Sequence, residues 1–282
     1  MPKKLKNKGY FLSNLIYNFL VFINFFFKIF KKKFNIIHGL YDLIRNKAYL
    51  RCNINGKNIF FFIPNRLTEH RVNTFEKFET EGIKWISKFD EDSIFWDIGS
   101  NIGLYSIYAS CLKKKIDVVA FEPASLNYSI LSRNISINRL SEKIKIFQIA
   151  LSNKKNEFLT MTESEFTEGK AKHSLFGSES MLNENKYKIF STNIDYLIQN
   201  KFLKQPNYLK IDIDGNEKEV LENGKSIFDG NSLKSVSIEI NELEKDNTKY
   251  FLNFFEKNNF KVENKYRVSK TTPELLNYIF SK

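Results

Sequence analysis

The chain has 282 residues, of which 42% are hydrophobic, and a formal net charge of +12 from 44 basic and 32 acidic side chains. This length accommodates one large domain with an appendage, and this apolar content excludes an intrinsically disordered chain. The positive charge favours an anionic partner or surface. Because the lysines are scattered, and no zinc-finger spacing, Arg-rich block or RNA-recognition motif occurs, we expect no nucleic-acid partner.

The first 33 residues differ in composition from the rest of the chain. An apolar and aromatic run from Tyr10 to Phe30 lies between two groups of lysines. Its length allows a membrane span, yet Ser13, three asparagines and Lys28 share one stripe of a helical wheel. Three interpretations are open: a helix lying on an anionic membrane surface, which the basic flanks favour, a membrane span, or a helix packed on protein. Since no small-residue cleavage site supports a signal peptide, we expect a cytoplasmic protein, peripheral on the inner face of the membrane.

Residues 34–90 form a second predicted region, without an evident site. Residues 48–63 are predicted to form a hairpin, because Asn55-Gly56 is a strong type I′ turn signal between two β-rich runs. Apolar residues at helical spacing predict a single helix over residues 73–88.

The rest of the chain, residues 91–282, is predicted to be one domain in which strands alternate with helices. Such alternation indicates a mainly parallel, doubly wound α/β sheet with helices on both faces. A polar stretch over residues 152–190 is placed to cover the carboxyl ends of the strands as a substrate lid. The predicted elements beyond residue 124 are a helix over 125–138 capped by Ser125, strands over 143–151, 209–213 and 234–241, helices over 195–199, 217–227 and 246–258, and a strand pair over 260–267 and 277–280.

The most informative stretch begins with a predicted strand over residues 93–98. Its apolar run indicates a strand buried on both faces, and helical spacing of apolar residues begins at Leu104. Gly99 and Gly103 bracket the turn between them, where the backbone can approach a ligand closely. Asp97 lies at the carboxyl end of the strand, where open α/β sheets bind ligands.

Two residues of this stretch and the strand that follows indicate which ligand is bound. The dinucleotide fingerprint requires glycine where the chain has Asn101, and Asp97 would repel a pyrophosphate but suits an ammonium group. The pattern resembles the first motif of class I methyltransferases, which use S-adenosylmethionine, although an ordinary βα turn has the same elements. A second apolar run over residues 117–121 ends in Glu122-Pro123, where an acid can accept hydrogen bonds from a ribose diol.

Acidic residues also follow the later strands. Asp212 and Asp214 lie two residues apart at the end of one predicted strand, and Glu239 lies near the end of another. Because buried acids are costly, these positions indicate a role with the acceptor, as base or as orienting group. Asp214 has an alternative role as the cap of the following helix. His173, in the polar stretch, is a further candidate base.

Together these stretches resemble the FkbM family of methyltransferases. The resemblance is carried by Trp96 to Gly103, Phe121-Glu122-Pro123, Leu209 to Gly215 with Glu217, Ile238-Glu239 and the closing Asn277 to Phe280, and it covers about residues 75–282. The chain departs from the usual family pattern at Asp214, where glutamate is usual, and at Asn216. The resemblance implies a Rossmann-like class I methyltransferase fold, with a seven-stranded, mainly parallel sheet whose last strand is antiparallel.

The resemblance also implies an activity and a set of site residues. It implies S-adenosylmethionine as methyl donor and O-methylation of a hydroxyl on a sugar, glycolipid or polyketide acceptor; the histidines and acids form no recognisable metal site. The residues expected to bind the cofactor are Asp97, Gly99, Asn101, Gly103, Glu122, Pro123, Asn127 and Ala150. The residues expected to serve the acceptor are Asp212, Asp214, Glu239 and His173.

Two alternatives belong to other classes of protein. One is a cofactor-binding, membrane-tethered partner protein without transfer activity, and the retained acidic residues argue against it. The other is an NAD-dependent dehydrogenase, which a shift in melting temperature with NAD but not with S-adenosylmethionine would favour.

Overall fold

The computed structural model describes residues 8–29, 35–163, 165–171, 185–213, 215–267 and 272–282. It divides the chain into two compact units, Met1–Tyr49 and Leu50–Lys282. The helices are α1 Lys8–Ile29, α2 Ile36–Lys47, α3 Arg66–Phe78, α4 Thr80–Ser87, α5 Leu104–Leu112, α6 Ser125–Ile137, α7 Ile194–Gln199, α8 Glu217–Glu222 and α9 Lys245–Lys257, and a 3₁₀ turn spans Lys225–Phe228. The strands are β1 Tyr49–Ile54, β2 Lys57–Phe62, β3 Ser93–Ile98, β4 Ile116–Phe121, β5 Ile144–Phe147, β6 Ala150–Leu151, β7 Glu157–Glu163, β8 Asn185–Thr192, β9 Tyr208–Ile211, β10 Ser235–Asn241, β11 Lys261–Arg267 and β12 Leu275–Ser281.

The larger unit is built on a seven-stranded sheet with the order β11-β12-β10-β9-β3-β4-β5. Strands β5, β4, β3, β9 and β10 pair in parallel, while β12 runs antiparallel to both β10 and β11. The predicted mainly parallel sheet with an antiparallel last strand is therefore confirmed. Because β3 lies between β4 and β9, the strand order reverses there, and open α/β sheets bind ligands outside the carboxyl ends of the strands at such a point.

Large aromatic side chains fill the core on which this sheet rests. Trp96 of β3 and Phe121 of β4 are almost fully buried, with ring centroids 5.5 Å apart. Phe255 of α9 stacks on Phe280 of β12 with 4.0 Å between ring centroids. Burial of each such side chain contributes roughly 1.5–3 kcal/mol to the stability of the fold. The core therefore holds the strand ends in fixed positions.

The predicted hairpin is present and belongs to the larger unit. Asn55 and Gly56 have φ of 46° and 77°, as a type I′ turn requires. Asn134 of α6 holds β2: its side-chain oxygen accepts from the Phe62 N–H at 2.7 Å, and its amide donates to the Ile102 carbonyl at 2.9 Å. The larger compact unit begins at Leu50.

The prediction of one helix over residues 73–88 is wrong. The structure has α3 and α4, which are separated at Glu79. Helix α3 begins earlier because the Asn65 side chain accepts the Thr68 N–H at 2.9 Å and the Thr68 side chain in turn binds the Asn65 backbone, which forms a reciprocal cap. Ser125 is likewise not a helix cap: Ala124 occupies that position, and its N–H donates to a Glu122 side-chain oxygen at 2.9 Å.

The third strand predicted over residues 143–151 is present as β5, but it ends early, at Phe147. Residues 150–151 form β6, which joins β8 and β7 in a separate three-stranded sheet. The polar stretch over residues 152–190 thus contains an antiparallel strand pair, anchored by buried Met161 and Ile189. The predicted helix over 217–227 stops at Glu222, and the predicted strand over 209–213 stops at Ile211.

The smaller unit consists of α1 and α2. The Asn24 side chain joins them: its amide donates to the Asn35 side-chain oxygen at 2.8 Å, and its oxygen accepts the Ile36 N–H at 2.9 Å. Most of the large apolar side chains of α1 are 41–74% exposed, whereas Leu20, Ile23 and Phe27 are partly buried. Among the described residues, the segment Gly9–Ile29 is the one helix whose length and composition would allow it to cross a membrane.

Candidate active site

A cavity of about 630 Å³ lies at the carboxyl ends of β3, β4 and β9, where the strand order reverses. Of the predicted site residues, seven line it: Gly99, Asn101, Glu122, Pro123, Ala150, Asp212 and Glu239. Three others, Asp97, Gly103 and Asn127, do not line it. His173 and Asp214 lie outside the described residues.

The turn after β3 lies directly against the residue that follows β9. Gly99 has φ of 80°, and a Cβ atom there would lie 1.9 Å from the Asp212 carbonyl oxygen. Only glycine fits a left-handed position so close to another backbone. Asn101 also has a positive φ, 50°, which asparagine tolerates, and its N–H donates to a Glu122 carboxylate oxygen at 2.7 Å. The turn is thereby attached to β9 on one side and to β4 on the other.

Glu122 is a buried acid on the cavity wall. Its oxygens accept from the Asn101 N–H, from the Ala124 N–H at 2.9 Å and, more weakly, from the Asn127 amide at 3.5 Å. Burial raises the pKa of Glu122 to about 7, although these donors lower it. The wall beside it is apolar and is formed by Phe121, Ile149, Ala150, Leu151 and Met161.

Asp97 lies beneath the turn, contrary to the prediction that it faces the ligand. One of its oxygens accepts from the Ser106 hydroxyl at 2.6 Å and from the Ser106 N–H at 3.2 Å. The other oxygen is buried with no hydrogen-bond partner among the described residues. Burial raises the pKa of Asp97, while the nearby Lys210 ammonium lowers it. Asp97 is therefore tied to helix α5 through Ser106, and its charge interacts with that of Lys210.

The Asn127 side chain is hydrogen-bonded to a backbone segment and does not line the cavity, contrary to the prediction that it lines an adenine site. Its side-chain oxygen accepts the Gly169 N–H at 2.8 Å, and its amide donates to the Lys170 carbonyl at 2.9 Å. The Asn101 amide donates to the same carbonyl at 3.0 Å, and the Arg71 side chain of α3 donates to the Gly169 carbonyl. Residues 168–171, which we call the strap, are thus fixed between α3, α6 and the turn.

The opposite wall of the cavity is acidic. Glu79, Asp212 and Glu239 all line it. The buried Lys210 ammonium lies 2.7 Å from an Asp212 carboxylate oxygen and 4.8 Å from the centre of the Tyr105 ring. Burial alone would lower the pKa of Lys210, but the carboxylates beside it raise the pKa above its usual value. The ammonium group is therefore a fixed positive charge inside an acidic wall.

Sequence reasoning missed the part of the site that α3 supplies. The cavity is also lined by Leu67, His70, Arg71, Thr74, Phe75, Phe78 and Glu79, and by Thr272, Leu275 and Asn277 near β12. The asparagine cap at residue 65 and the helical spacing after it could have revealed α3 as an amphipathic helix. No local signal indicates that its inner face borders a ligand cavity.

These features define a class I methyltransferase fold with its cavity at the switch point of the sheet. The chain belongs to the FkbM methyltransferase family: the model of the methyltransferase FkbM domain matches residues 97–278. It is similar to the hexuronic acid methyltransferase AglP of Haloferax volcanii, with 28% identity over 158 residues, which cover 56% of this chain and 59% of that protein. It is also similar to methyltransferase sdnD of Sordaria araneosa, with 36% identity over 67 residues, or 24% and 26% of the two chains.

The chain thus spans about a quarter to three fifths of the length of these curated relatives. Among solved structures, it is similar to an rRNA methylase from Streptococcus thermophilus, with a TM-score of 0.45 and 13% identity. That similarity covers 72% of this chain and 94% of the other.

The Gly99 turn generates a stability prediction with a matched control. Gly99→Ala should lose far more unfolding free energy than Gly56→Ala, because Gly56 has a similar φ of 77° but no atom within 4 Å of its Cβ position. The control should lose only the left-handed backbone cost, about 1–2 kcal/mol. Urea denaturation of both variants measures the difference. Equal losses would contradict the close contact between Gly99 and Asp212.

Proposed function

We propose that the chain is an S-adenosylmethionine-dependent methyltransferase that methylates a hydroxyl of a sugar, glycolipid or related acceptor. Family membership supports methyl transfer. The observation that carries the proposal is the Gly99 turn, pressed against β9 at the switch point and joined to Glu122 at the end of β4. This arrangement offers a close backbone approach and a ribose-binding acid at one cavity wall.

The cavity fits the proposed cofactor in shape and chemistry. The turn from Gly99 to Gly103 has no Cβ at either end and would receive the amino acid end. Glu122 would accept hydrogen bonds from the ribose hydroxyls, and the apolar wall around Ala150 would hold the adenine. When bound, S-adenosylmethionine supplies a methyl group on a positively charged sulfur. The acidic wall suits that charge better than it would suit a pyrophosphate, which argues against a dinucleotide.

The acidic wall also supports a hydroxyl as the acceptor. Carboxylates such as Asp212 and Glu239 accept hydrogen bonds from hydroxyl groups and would orient an oxygen for in-line attack. A relative that methylates hexuronic acid makes a sugar acceptor reasonable. The same carboxylates have no evident use in a cofactor-binding protein without transfer activity.

Turnover tests this proposal directly. The purified full chain with S-adenosylmethionine should produce S-adenosylhomocysteine when a glycan and glycolipid extract is added, and mass spectrometry should find methyl ethers in the extract. NAD should leave the melting temperature unchanged, whereas S-adenosylmethionine should raise it. Stabilisation by NAD alone would favour a dehydrogenase. Cofactor binding without product from any extract would favour the non-catalytic alternative.

Glu122 generates a pH prediction. Its pKa in the ligand-free protein is raised to about 7, so the carboxyl is largely protonated at lower pH and ionised at higher pH. Since the ionised form is the better acceptor for ribose hydroxyls, binding should strengthen as pH rises through this value, by up to about tenfold per pH unit below it. Calorimetry with 5′-methylthioadenosine, which lacks the amino acid end, measures this. Glu122→Gln should bind weakly with no such slope; an identical slope in that variant would assign the titration to another group.

We also propose that the smaller unit contacts an anionic membrane surface. Most of the apolar side chains of α1 are exposed. Two of its polar side chains have partners within the unit: Ser13 donates to the Gly9 carbonyl at 2.8 Å, and Asn24 bonds the start of α2. Lysines flank the apolar run in the sequence. A broad apolar face with basic flanks suits an anionic bilayer, at about 1 kcal/mol per lysine that reaches the surface.

Vesicle sedimentation tests the membrane proposal. The full chain should sediment with phosphatidylserine-containing vesicles more than with neutral ones, and high salt should release part of it because salt screens charge. Changing the lysines at positions 3, 4, 6 and 8 to glutamine should weaken binding to the charged vesicles only. Binding that ignores lipid charge and resists carbonate would support a membrane span. No binding to either vesicle would leave protein packing as the use of α1.

A further inference from the structure

The three carboxylates of the acidic wall differ in what holds them. A neutral hydroxyl must lose its proton as the new oxygen–carbon bond forms, so the site needs a base within reach of the acceptor. One Asp212 oxygen already binds the Lys210 ammonium at 2.7 Å and would have to give up that partner to take a proton. Glu239 projects from β10 opposite Asn277 of β12. Glu79 is held by different contacts from those of Asp212 and Glu239.

Glu79 lies where α3 ends and α4 begins, and it enters the cavity from outside the main sheet. Its carboxylate accepts a hydrogen bond from the Tyr105 hydroxyl at 2.6 Å. The Tyr105 hydroxyl lies 3.2 Å from that of Tyr266 on β11. Within the described part of the chain, no ammonium or guanidinium group lies within ion-pair distance of Glu79.

A glycine makes room for this arrangement. A Cβ atom at Gly82 of α4 would lie 2.2 Å from the Tyr105 hydroxyl and 2.7 Å from the Tyr266 hydroxyl. The two hydroxyls therefore occupy the place of a side chain on α4, directly beside Glu79. Four elements, α4, α5, β11 and the α3–α4 junction, converge to hold one carboxylate at the cavity wall. Glu79 is partly buried, and withdrawing an acid from water in this way is costly unless the acid has a task.

The geometry points to Glu79 as the base that receives the acceptor's proton, with Tyr105 as the group that positions it; this inference rests on the proposed methyl transfer to a hydroxyl. In the step, the acceptor O–H bond breaks and its proton passes to a Glu79 oxygen. The oxygen electron pair forms the bond to the methyl carbon. The carbon–sulfur bond breaks with its electron pair staying on sulfur, so the sulfonium becomes a neutral thioether.

The electrostatics agree with this role. Burial raises the pKa of Glu79, and Asp212 raises it further, while Tyr105, Tyr266 and Lys210 lower it. A carboxylate whose pKa is raised is a stronger base than one with an ordinary pKa. Three acids on one wall also disfavour an anionic group at the reacting position, so the atom methylated is a neutral hydroxyl oxygen and not a carboxylate oxygen.

The test compares Glu79→Gln with Glu81→Gln. Glu81 lies two positions further along the chain, in the first turn of α4, and pairs with Lys84. Tritium transfer from S-adenosylmethionine is measured into a glycolipid extract of cells that lack the gene. Glu79→Gln should lower the rate by about 100- to 10,000-fold, the usual contribution of a general base, while the control stays within twofold or so of the parent. Affinity for S-adenosylhomocysteine, measured by calorimetry, should change less than about threefold in both.

Rate against pH separates a base from a structural acid. The parent rate should reach a plateau once Glu79 is ionised, whereas the residual rate of Glu79→Gln should keep rising with hydroxide, about tenfold per pH unit. Tyr105→Phe removes a hydrogen bond that lowers the pKa of Glu79, so it should move the acidic limb to higher pH. If Glu79→Gln is unstable by melting temperature, Glu79→Asp provides the same comparison, with a reduced rate but a retained plateau.

Other outcomes overturn the assignment. Equal loss of rate and of S-adenosylhomocysteine affinity would make Glu79 a structural part of the pocket. A larger loss in Glu239→Gln than in Glu79→Gln, with the pH plateau lost there, would transfer the role to Glu239. Normal transfer by Glu79→Gln would remove the inference but leave the proposed function intact. No transfer by the parent chain would instead refute the proposed function, and the inference with it.

Discussion

The contact between the Gly99 turn and the Asp212 carbonyl determines how the rest of the site is arranged. Parallel pairing of β3 with β9 places Ile98 opposite Ile211, and the Asp212 N–H donates to the Ile98 carbonyl at 3.0 Å. The two strand ends are so close that no Cβ fits between them at Gly99. The turn therefore runs toward the end of β4, where the Glu122 carboxylate accepts the Asn101 N–H. Asp212 lines the cavity on the other side of the turn.

A second constraint is the charge buried under that contact. Lys210 is almost fully buried beside Asp97 and Asp212, and Tyr105 covers it with the face of its ring. An unpaired ammonium in this position would cost several kcal/mol, so each carboxylate near it offsets part of that cost. The same ammonium links the floor of the turn to the acidic wall. The proposed cofactor side and the proposed acceptor side of the cavity thus share one electrostatic network.

The features of the structure that depend on local sequence patterns could be predicted from the sequence. The strand Ser93–Ile98 and the Asn55-Gly56 turn are where apolar runs and turn residues predict them, and the mainly parallel pairing follows from strands alternating with helices. The rest depends on contacts distant in sequence. Nothing near Glu79 indicates that it lies beside the strand ends. The residues around Asn127 also do not show that the strap would bind both the oxygen and the nitrogen of its side-chain amide.

The most direct measurement of the central claim is a crystal structure of the full chain with S-adenosylhomocysteine. The account predicts the amino acid end over the Gly99 turn, the ribose hydroxyls at Glu122 and the adenine against the wall that contains Ala150, with the sulfur facing the acidic wall. Cofactor product bound elsewhere on the protein, or a cavity that stays free of it at saturating concentration, would contradict the account.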